Sequence, residues 1–267
     1  RAAIAQGSGA RAEQVVIGNG SEDILQMLCQ AFLSPGDRVL TQRPAFGLHE
    51  IYRGRIAAQV EGLGLTPALG FDIDAWCEAL ARGPKLVMLA NPSNPVGCMF
   101  DADEFARLLA AMPPATLLVL DEAYYEYART APGFPDALAA LRAQERPWIV
   151  LRTFSKAWGL AGLRVGYGIA SDAALVQLLD RVRTPFNVNL AAQAAALAAW
   201  GDEAHMVHAV AETVRRRDAM AEALRAMAWP ALRVAPSAAN FLFIDLARPN
   251  GPVNEALLAR GIIVKPW

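Results

Sequence analysis

The sequence contains little lysine. Lys85, Lys156 and Lys265 are the only three, and the other members of the 25 Lys and Arg residues are arginines. None of the three follows a glycine, so the Gly-Lys-Ser/Thr end of a phosphate-binding P-loop is absent. This scarcity excludes a P-loop nucleotide hydrolase and leaves few candidates for any reaction that needs a lysine amine.

Cysteine and histidine are also scarce. The three cysteines are odd in number and far apart, so they predict neither a disulfide framework nor a zinc site. His205 and His208 fall in one predicted helix and His49 is alone; two histidines without a third ligand do not predict a metal site. Unpaired cysteines favour a reducing compartment, and we expect the cytoplasm.

Long apolar runs and excess charge are missing as well. No apolar run approaches the length of a membrane span, and no signal peptide opens the chain. A net charge of -1 gives no electrostatic case for nucleic acid or a membrane surface, so we expect small-molecule partners. Arg1 stands where a methionine would begin a natural chain, and we expect the natural N terminus to lie upstream.

Apolar residues make up 54% of the 267 residues, which is enough for one large domain or two unequal ones. Strand and helix patterns alternate along the chain, which is typical of an α/β fold: a mostly parallel sheet with helices on both faces. The predicted strands are residues 14–17, 38–40, 57–66 with its turn, 85–89, 116–120, 148–151, 165–170 and 241–245. The predicted helices are residues 24–32, 74–82, 102–112, 172–183, 190–227 with a break near Gly201, and 253–260.

Residues 151–166 hold the strongest candidate for chemistry. A buried strand is followed by the hydroxyls of Thr153 and Ser155, then Lys156, then glycines, and Arg164 comes eight positions after the lysine. The amine can form a Schiff base, while the hydroxyls and the guanidinium can hold a phosphate. A solvated loop lysine is the ordinary alternative, but only Lys156 of the three lysines has phosphate-binding neighbours.

A second candidate phosphate site follows the first predicted strand. Gly20, Ser21 and Glu22 lie between that strand and a helix, where free backbone N–H groups meet anions. Ser21 is the predicted N-cap. Asp23 stands where a third glycine of a dinucleotide-binding motif belongs, which argues against a Rossmann site.

The remaining candidates also follow strands, and carboxyl strand ends are where such sheets bind ligands. Asp121 with Lys156 and a phosphate cradle are the parts that pyridoxal phosphate needs, because an acid opposite the ring nitrogen keeps it protonated. Asn94 and Tyr124 are candidates to donate hydrogen bonds to the ring's 3-oxygen, and Phe46 to stack on the ring. A turn asparagine and core aromatics are the ordinary alternatives for these three.

Four segments in this order resemble a known family. They are residues 18–23, 91–97, 121–124 and 153–166, and together they resemble the fold-type-I pyridoxal-phosphate aminotransferases of class I/II. Residues 183–189 and 261–264 look like the histidinol-phosphate aminotransferase branch. The resemblance implies transamination of histidinol phosphate with 2-oxoglutarate or glutamate in histidine biosynthesis. Alternatives with the same fold are a threonine-phosphate decarboxylase and an aromatic or broad-specificity aminotransferase; a folded homologue without activity is a third class.

The resemblance also implies residue roles and an architecture. Lys156 would carry the cofactor and move the proton, Asp121 would pair with the ring nitrogen, and either Thr153 or Ser155 would join Arg164 at the phosphate. Residues 1–188 would be the large cofactor domain without its N-terminal arm, and residues 189–267 a connecting helix with part of a small domain. A homodimer is implied, and the arginine that binds the substrate carboxylate is expected beyond residue 267.

Overall fold

Seven apolar segments form one mixed sheet in a computed structural model, which describes residues 1–47 and 56–267. The strand order is β1-β7-β6-β5-β4-β2-β3. Strands β2 to β6 are parallel where they pair, and β7 is antiparallel to both β6 and β1. The strands are β1 Val15–Asn19, β2 Arg38–Gln42, β3 Gln59–Leu63, β4 Leu86–Ala90, β5 Leu117–Asp121, β6 Trp148–Thr153 and β7 Val165–Ala170.

Helices connect these strands and extend the chain beyond them. They are α1 Ala2–Ser8, α2 Ser21–Phe32, α3 Ile73–Ala81, α4 Ala102–Ala111, α5 Tyr125–Ala128, α6 Ala137–Arg142, α7 Ala173–Val182, α8 Leu190–Trp200, α9 Glu203–Arg225 and α10 Gly251–Leu258. A short antiparallel pair, β8 Arg233–Val234 with β9 Ile244–Asp245, lies in the C-terminal part. None of the helices in the described ranges has both the length and the apolar character needed to cross a membrane.

The sheet is covered on both faces, which confirms the predicted α/β class. One face packs against α2 and α7 through side chains such as Ile24, Leu28 and Leu179. The other face carries the larger cluster, with Trp76 of α3 and Phe105 of α4. Because both faces are buried, the central strands β4, β5 and β6 are buried along their whole length, and their apolar runs are continuous rather than alternating.

Two local predictions were wrong. Ser21 is the first residue of α2 and not its N-cap; Gly20 holds that position. The predicted strand at 241–245 is reduced to β9, since only two residues find a partner in β8. Residues 262–264, an apolar run at the end of the chain, are exposed and form neither strand nor helix. His49 lies outside the described residues.

Candidate active site

The carboxyl ends of the parallel strands surround one pocket, with a cavity volume of about 170 Å³. Ten of the eleven predicted site residues line it. The full lining is Ser21, Glu22, Phe46, Ala90, Pro92, Asn94, Asp121, Ala123, Tyr124, Thr153, Ser155, Lys156 and Arg164. The carboxyl ends of the strands therefore bring the predicted segments together, while the role of each residue stays a prediction.

Gly20, the eleventh, contributes its backbone. Its φ of 80° and ψ of 164° belong to a region that residues with a side chain avoid. Its N–H donates to the carbonyl of Arg164 at 3.0 Å, and a Cβ added at Gly20 would meet Arg164 Nη2 at 2.5 Å. Gly20 thus lets the start of α2 approach the guanidinium closely, so the free N–H groups of that helix end and a positive charge lie side by side.

The hydroxyls beside this helix end form a connected group. Thr153 Oγ lies 3.0 Å from Ser155 Oγ and 3.2 Å from the carbonyl of Val165, and it accepts the Ser155 N–H at 3.1 Å. Arg164 Nη1 donates to Ser155 Oγ at 3.4 Å, and Nη2 lies 3.7 Å from Glu22. Thr153 is engaged with the backbone and 3% exposed, whereas Ser155 is half-buried and open to the pocket.

Lys156 lies in the same turn, half-buried. Burial lowers the pKa of its amine below the ordinary value of 10.5, and the positive charge of Arg164 lowers it further, while the carboxylate of Asp121 opposes both. Its Nζ lies 5.3 Å from the centre of the Tyr124 ring. A lysine with a lowered pKa has a larger fraction of neutral amine at neutral pH, which is the form that acts as nucleophile and base.

The opposite side of the pocket carries Asp121, Asn94 and Tyr124. Asp121 is 7% exposed and one of its oxygens accepts the Ala123 N–H at 3.0 Å. Asn94 Nδ2 donates to Tyr124 Oη at 2.9 Å. Burial raises the pKa of Tyr124, and the charge of Asp121 adds to the effect, so the phenol keeps its proton and can donate it to a ligand.

Sequence reasoning missed the buried residues that hold the Asn94 turn. Gln42, at the end of β2, donates from Nε2 to Ser93 Oγ at 2.7 Å and accepts the Ala90 N–H at 3.2 Å. Asn91 accepts the Phe100 N–H at 3.1 Å. A buried glutamine at a strand end is the one signal for this support in the sequence, since a polar side chain there needs partners.

The donor set fits pyridoxal phosphate. The Gly20 position that a Cβ would fill, the start of α2 and Arg164 make a cradle of backbone donors and positive charge for a phosphate. Lys156 provides an amine of lowered pKa, and Asp121 provides a buried carboxylate on the far side. Among residues 1–47 and 56–267, no group of three His, Cys, Asp or Glu side chains is arranged to hold a metal ion.

Comparisons with known proteins agree with this chemistry. The family model described as "Aminotransferase class I and II" matches residues 1–267. The chain is 46% identical to "Histidinol-phosphate aminotransferase 3" of Rhizobium meliloti (strain 1021), over 95% of this chain and 68% of that protein. It is 45% identical to "Histidinol-phosphate aminotransferase 1" of Mesorhizobium japonicum, over 100% of this chain and 72% of that protein.

A solved structure gives the same picture for the fold. It is the histidinol-phosphate aminotransferase from Sinorhizobium meliloti in complex with pyridoxal-5'-phosphate, with a TM-score of 0.89 and 28% sequence identity. The match covers 99% of this chain and 71% of that one. The fold of the present chain is therefore found in a protein that binds this cofactor.

Proposed function

The chain belongs to the aminotransferases of class I and II, and from that premise we propose that it transfers an amino group between histidinol phosphate and 2-oxoglutarate, with pyridoxal phosphate as cofactor. The observation that carries the proposal is the single pocket that gathers Lys156, Asp121 and a phosphate cradle. The names of the relatives at 46% and 45% identity support the substrate. The pathway would then be histidine biosynthesis.

Lys156 and Asp121 carry the chemistry in this proposal. When bound, pyridoxal phosphate supplies an electron sink that stabilises negative charge on the substrate's alpha carbon. Lys156 would hold the cofactor covalently and move a proton at Nζ, and its lowered pKa favours the neutral amine that accepts that proton. Asp121 would keep a proton on the ring nitrogen, and its burial strengthens this charge interaction.

The remaining site residues would bind and orient. We assign the phosphate to the N–H groups of Ser21 and Glu22 together with Ser155 and Arg164. Gly20, whose own N–H bonds the Arg164 carbonyl, would bring these donors close to the guanidinium. Thr153 would orient Ser155, because its hydroxyl already accepts the Ser155 N–H and lies against the Val165 carbonyl. We therefore propose Ser155, and not Thr153, as the hydroxyl that contacts the phosphate.

The ring would be held by side chains on two elements. Tyr124 and Asn94 are already hydrogen-bonded to each other, and both have a further donor available for the ring's 3-oxygen. Phe46 lines the pocket and would cover one ring face. Water would be excluded mainly by these aromatic and apolar walls.

We also propose the architecture that the resemblance implies. The large domain would end at residue 188, since the seven strands of the main sheet and most of the pocket lie before it. A homodimer is supported by exposed apolar side chains near this boundary and in α8: Phe186 is 100% exposed, Leu190 80% and Leu197 64%. Cys29, Cys77 and Cys98 are all unpaired, which supports a cytoplasmic, reducing location.

The cofactor assignment is tested by borohydride reduction followed by peptide mass spectrometry. We expect one cofactor adduct, on Lys156, and its loss together with activity in Lys156→Ala. Lys85→Ala is the matched control, because Lys85 is half-exposed and forms an ion pair with Asp37 away from the pocket. An adduct that survives in Lys156→Ala contradicts the assignment.

The substrate is tested by half-reactions. Histidinol phosphate should convert the bound cofactor to its amine form, and 2-oxoglutarate should restore it. Release of carbon dioxide from threonine phosphate would select the decarboxylase instead. Equal rates with a phosphate-free aromatic amino acid would select a broad-specificity enzyme.

A further inference from the structure

A row of buried polar side chains lies directly behind the pocket, on the other face of the sheet. Side chains alternate along a strand, so Asp121 and Thr153 point to the α2 side while Glu122 and Arg152 point to the opposite side. Arg152 faces Tyr167 across the β6–β7 pair. Glu122, Arg152 and Tyr167 are 1%, 8% and 1% exposed. Glu122 and Arg152, which neighbour the predicted site residues Asp121 and Thr153 in sequence, are therefore buried in the core.

The contacts in this row are close. Arg152 donates from Nε to Glu122 Oε2 at 2.9 Å, and its Nη2 lies 2.8 Å from the same oxygen. Its guanidinium carbon lies 3.4 Å from the centre of the Tyr125 ring. Tyr125 begins α5, immediately after Tyr124. One guanidinium thus joins the ends of β5 and β6 to the helix that follows the pocket.

A second link ties the lysine turn to the same helix. Trp158, two residues after Lys156, donates from Nε1 to Glu126 Oε1 of α5 at 3.0 Å. Glu126 is 4% exposed. The Trp158 ring also stacks on Trp200 of α8, with centroids 5.5 Å apart. The backbone that carries Lys156 is therefore fixed to α5 on one side and to α8 on the other.

Burying the charged groups of this cluster is unfavourable for the stability of the fold. The guanidinium pairs with Glu122, and the nearby Glu126 carboxyl is bonded to Trp158 instead. Glu122 Oε1 and Glu126 Oε2 have no hydrogen-bond partner among the described residues. Burial raises the pKa of both carboxyls above the ordinary value. Replacing such groups by apolar residues of similar volume is often neutral or stabilising, so packing alone does not account for them.

We propose that Glu126 and Trp158 are positioning residues, which fix the position of Lys156 relative to Asp121 and Tyr124 across the pocket. The Glu122–Arg152 pair behind them supports the same segments. The inference rests on the proposed function and deepens it, because it assigns the alignment of the lysine to a named hydrogen bond. Each supporting residue or helix comes shortly after a residue that lines the pocket. Glu122 follows Asp121, α5 follows Tyr124, and Trp158 comes two positions after Lys156. Loss of the bond frees the lysine turn without touching a residue that contacts the cofactor.

The test compares variants that keep or remove this bond. Glu126→Leu removes the acceptor, Trp158→Phe removes the donor, and Glu126→Gln keeps an acceptor oxygen. Trp76→Phe is the matched control, since Trp76 is a fully buried tryptophan of α3 whose Nε1 has no partner. The main readout is the pH midpoint of the absorbance change of the lysine-bound cofactor, which reports the surroundings of Lys156 and requires no turnover.

We expect the midpoint to shift in the same direction, by about half a pH unit or more, in Glu126→Leu and Trp158→Phe. The double variant should shift no further than the larger single shift, because both changes remove one bond. Glu126→Gln and Trp76→Phe should match the unmodified chain. In turnover, kcat should fall about tenfold to a hundredfold with KM changed by less than about twofold, since alignment and not binding is lost.

Three results would overturn the proposal. They are an unchanged midpoint in folded Trp158→Phe, shifts that add in the double variant, and a Glu126→Gln midpoint as displaced as that of Glu126→Leu. Should Glu126→Leu not fold, Trp158→Phe against Trp76→Phe still decides. Failure of the proposed substrate would leave the absorbance titration readable, so the two failures are distinguishable.

Discussion

Gly20 holds a backbone shape that no other residue type adopts at low strain. Its φ and ψ of 80° and 164° are essentially restricted to glycine, and a side chain there costs about 1–3 kcal/mol. The added methyl of Gly20→Ala would also meet the Arg164 guanidinium. The backbone conformation and the close approach of Arg164 therefore both require glycine at this position.

We expect Gly20→Ala to lower both the free energy of unfolding, by about 1–3 kcal/mol, and the affinity for pyridoxal phosphate, by about tenfold or more. Gly36→Ala is the control, because Gly36 also has a positive φ, of 87°, and an added Cβ there meets nothing within 4 Å. It should lose stability only. Urea unfolding and a cofactor titration measure the two quantities, and equal cofactor affinities in both variants would contradict the cradle.

Lys156 should titrate below an ordinary lysine. In the cofactor-free protein we expect the rate of its acetylation to rise with a pH midpoint below 10.5, because burial disfavours the ammonium. Asp121→Asn should move the midpoint lower still, since the carboxylate favours the charged form. Peptide mass spectrometry separates the three lysines in one sample. A midpoint at or above the ordinary value would contradict the prediction.

Glu126 should make stability depend on pH. Burial raises the pKa of its carboxyl above 4.5, and the Trp158 hydrogen bond opposes this only in part. Between 4.5 and the raised value, the folded chain keeps a proton that the unfolded chain has released. The free energy of unfolding therefore falls as pH rises through this window, by up to about 1.4 kcal/mol per pH unit.

Glu126→Gln cannot titrate, so we expect its unfolding free energy to gain on that of the unmodified chain as pH increases above 4.5. Urea unfolding of the cofactor-free proteins at several pH values gives this difference directly. A difference that stays constant across the range would mean that Glu126 is not a buried titrating group.

At the scale of elements, local sequence signals set the starts of several helices. Helix α4 begins with a capping box: Asp101 accepts the Glu104 N–H at 2.9 Å, and the Glu104 carboxylate accepts the Asp101 N–H at 2.9 Å. We expect Asp101→Ala to cost about 1 kcal/mol of unfolding free energy. Asp103→Ala, in the same first turn without a role in this box, should cost less. Equal losses by thermal or urea unfolding would assign the effect to charge alone.

The sequence predicted elements well where the signal is local. Strand β7 was predicted with its observed ends, and the Ala-rich helix breaks at Gly201 as expected. Ser21 was wrongly predicted as the N-cap because cap preferences favour serine, whereas the close approach to Arg164 requires glycine. Strand β8 was missed, because a two-residue strand carries no recognisable pattern and is defined only by its pairing with β9.

The candidate site also has a part that the sequence predicts and a part that it does not. Its segments were predictable because parallel strands share a carboxyl edge, so residues that follow strands converge. The support behind it was not predictable: nothing local indicates that Trp158 reaches Glu126, since the contact depends on how α5 packs against the lysine turn. Residue roles stay predictions, as geometry alone does not assign them.

At the scale of the whole molecule, α8 presents apolar side chains on more than one side. Ala192 and Ala196 are buried, while Leu190 and Leu197 are largely exposed. A helix that is apolar all round is usually covered. The proposed homodimer would supply that cover.

We expect the chain to be a dimer by light scattering after gel filtration, and Leu197→Glu to shift it toward monomer, because burying a carboxylate in an apolar contact is unfavourable. Leu258→Glu is the control, since Leu258 lies on α10 and is similarly exposed, at 58% against 64% for Leu197. A monomeric unmodified chain, or equal behaviour of both variants, would contradict this interface.

The pairing of β1 with β7 has a consequence for synthesis in the cell. Val15–Asn19 finds its partner only when residues 165–169 exist, and the Gly20 N–H bonds the Arg164 carbonyl at 3.0 Å. At about 5–20 residues per second, β1 leaves the ribosome on the order of ten seconds before β7. During that interval an apolar strand has no partner, so we expect the nascent chain to be more prone to aggregation until β7 emerges. In the proposed site, pyridoxal phosphate can be held fully only after this pairing, because the start of α2 and Arg164 lie on either side of it.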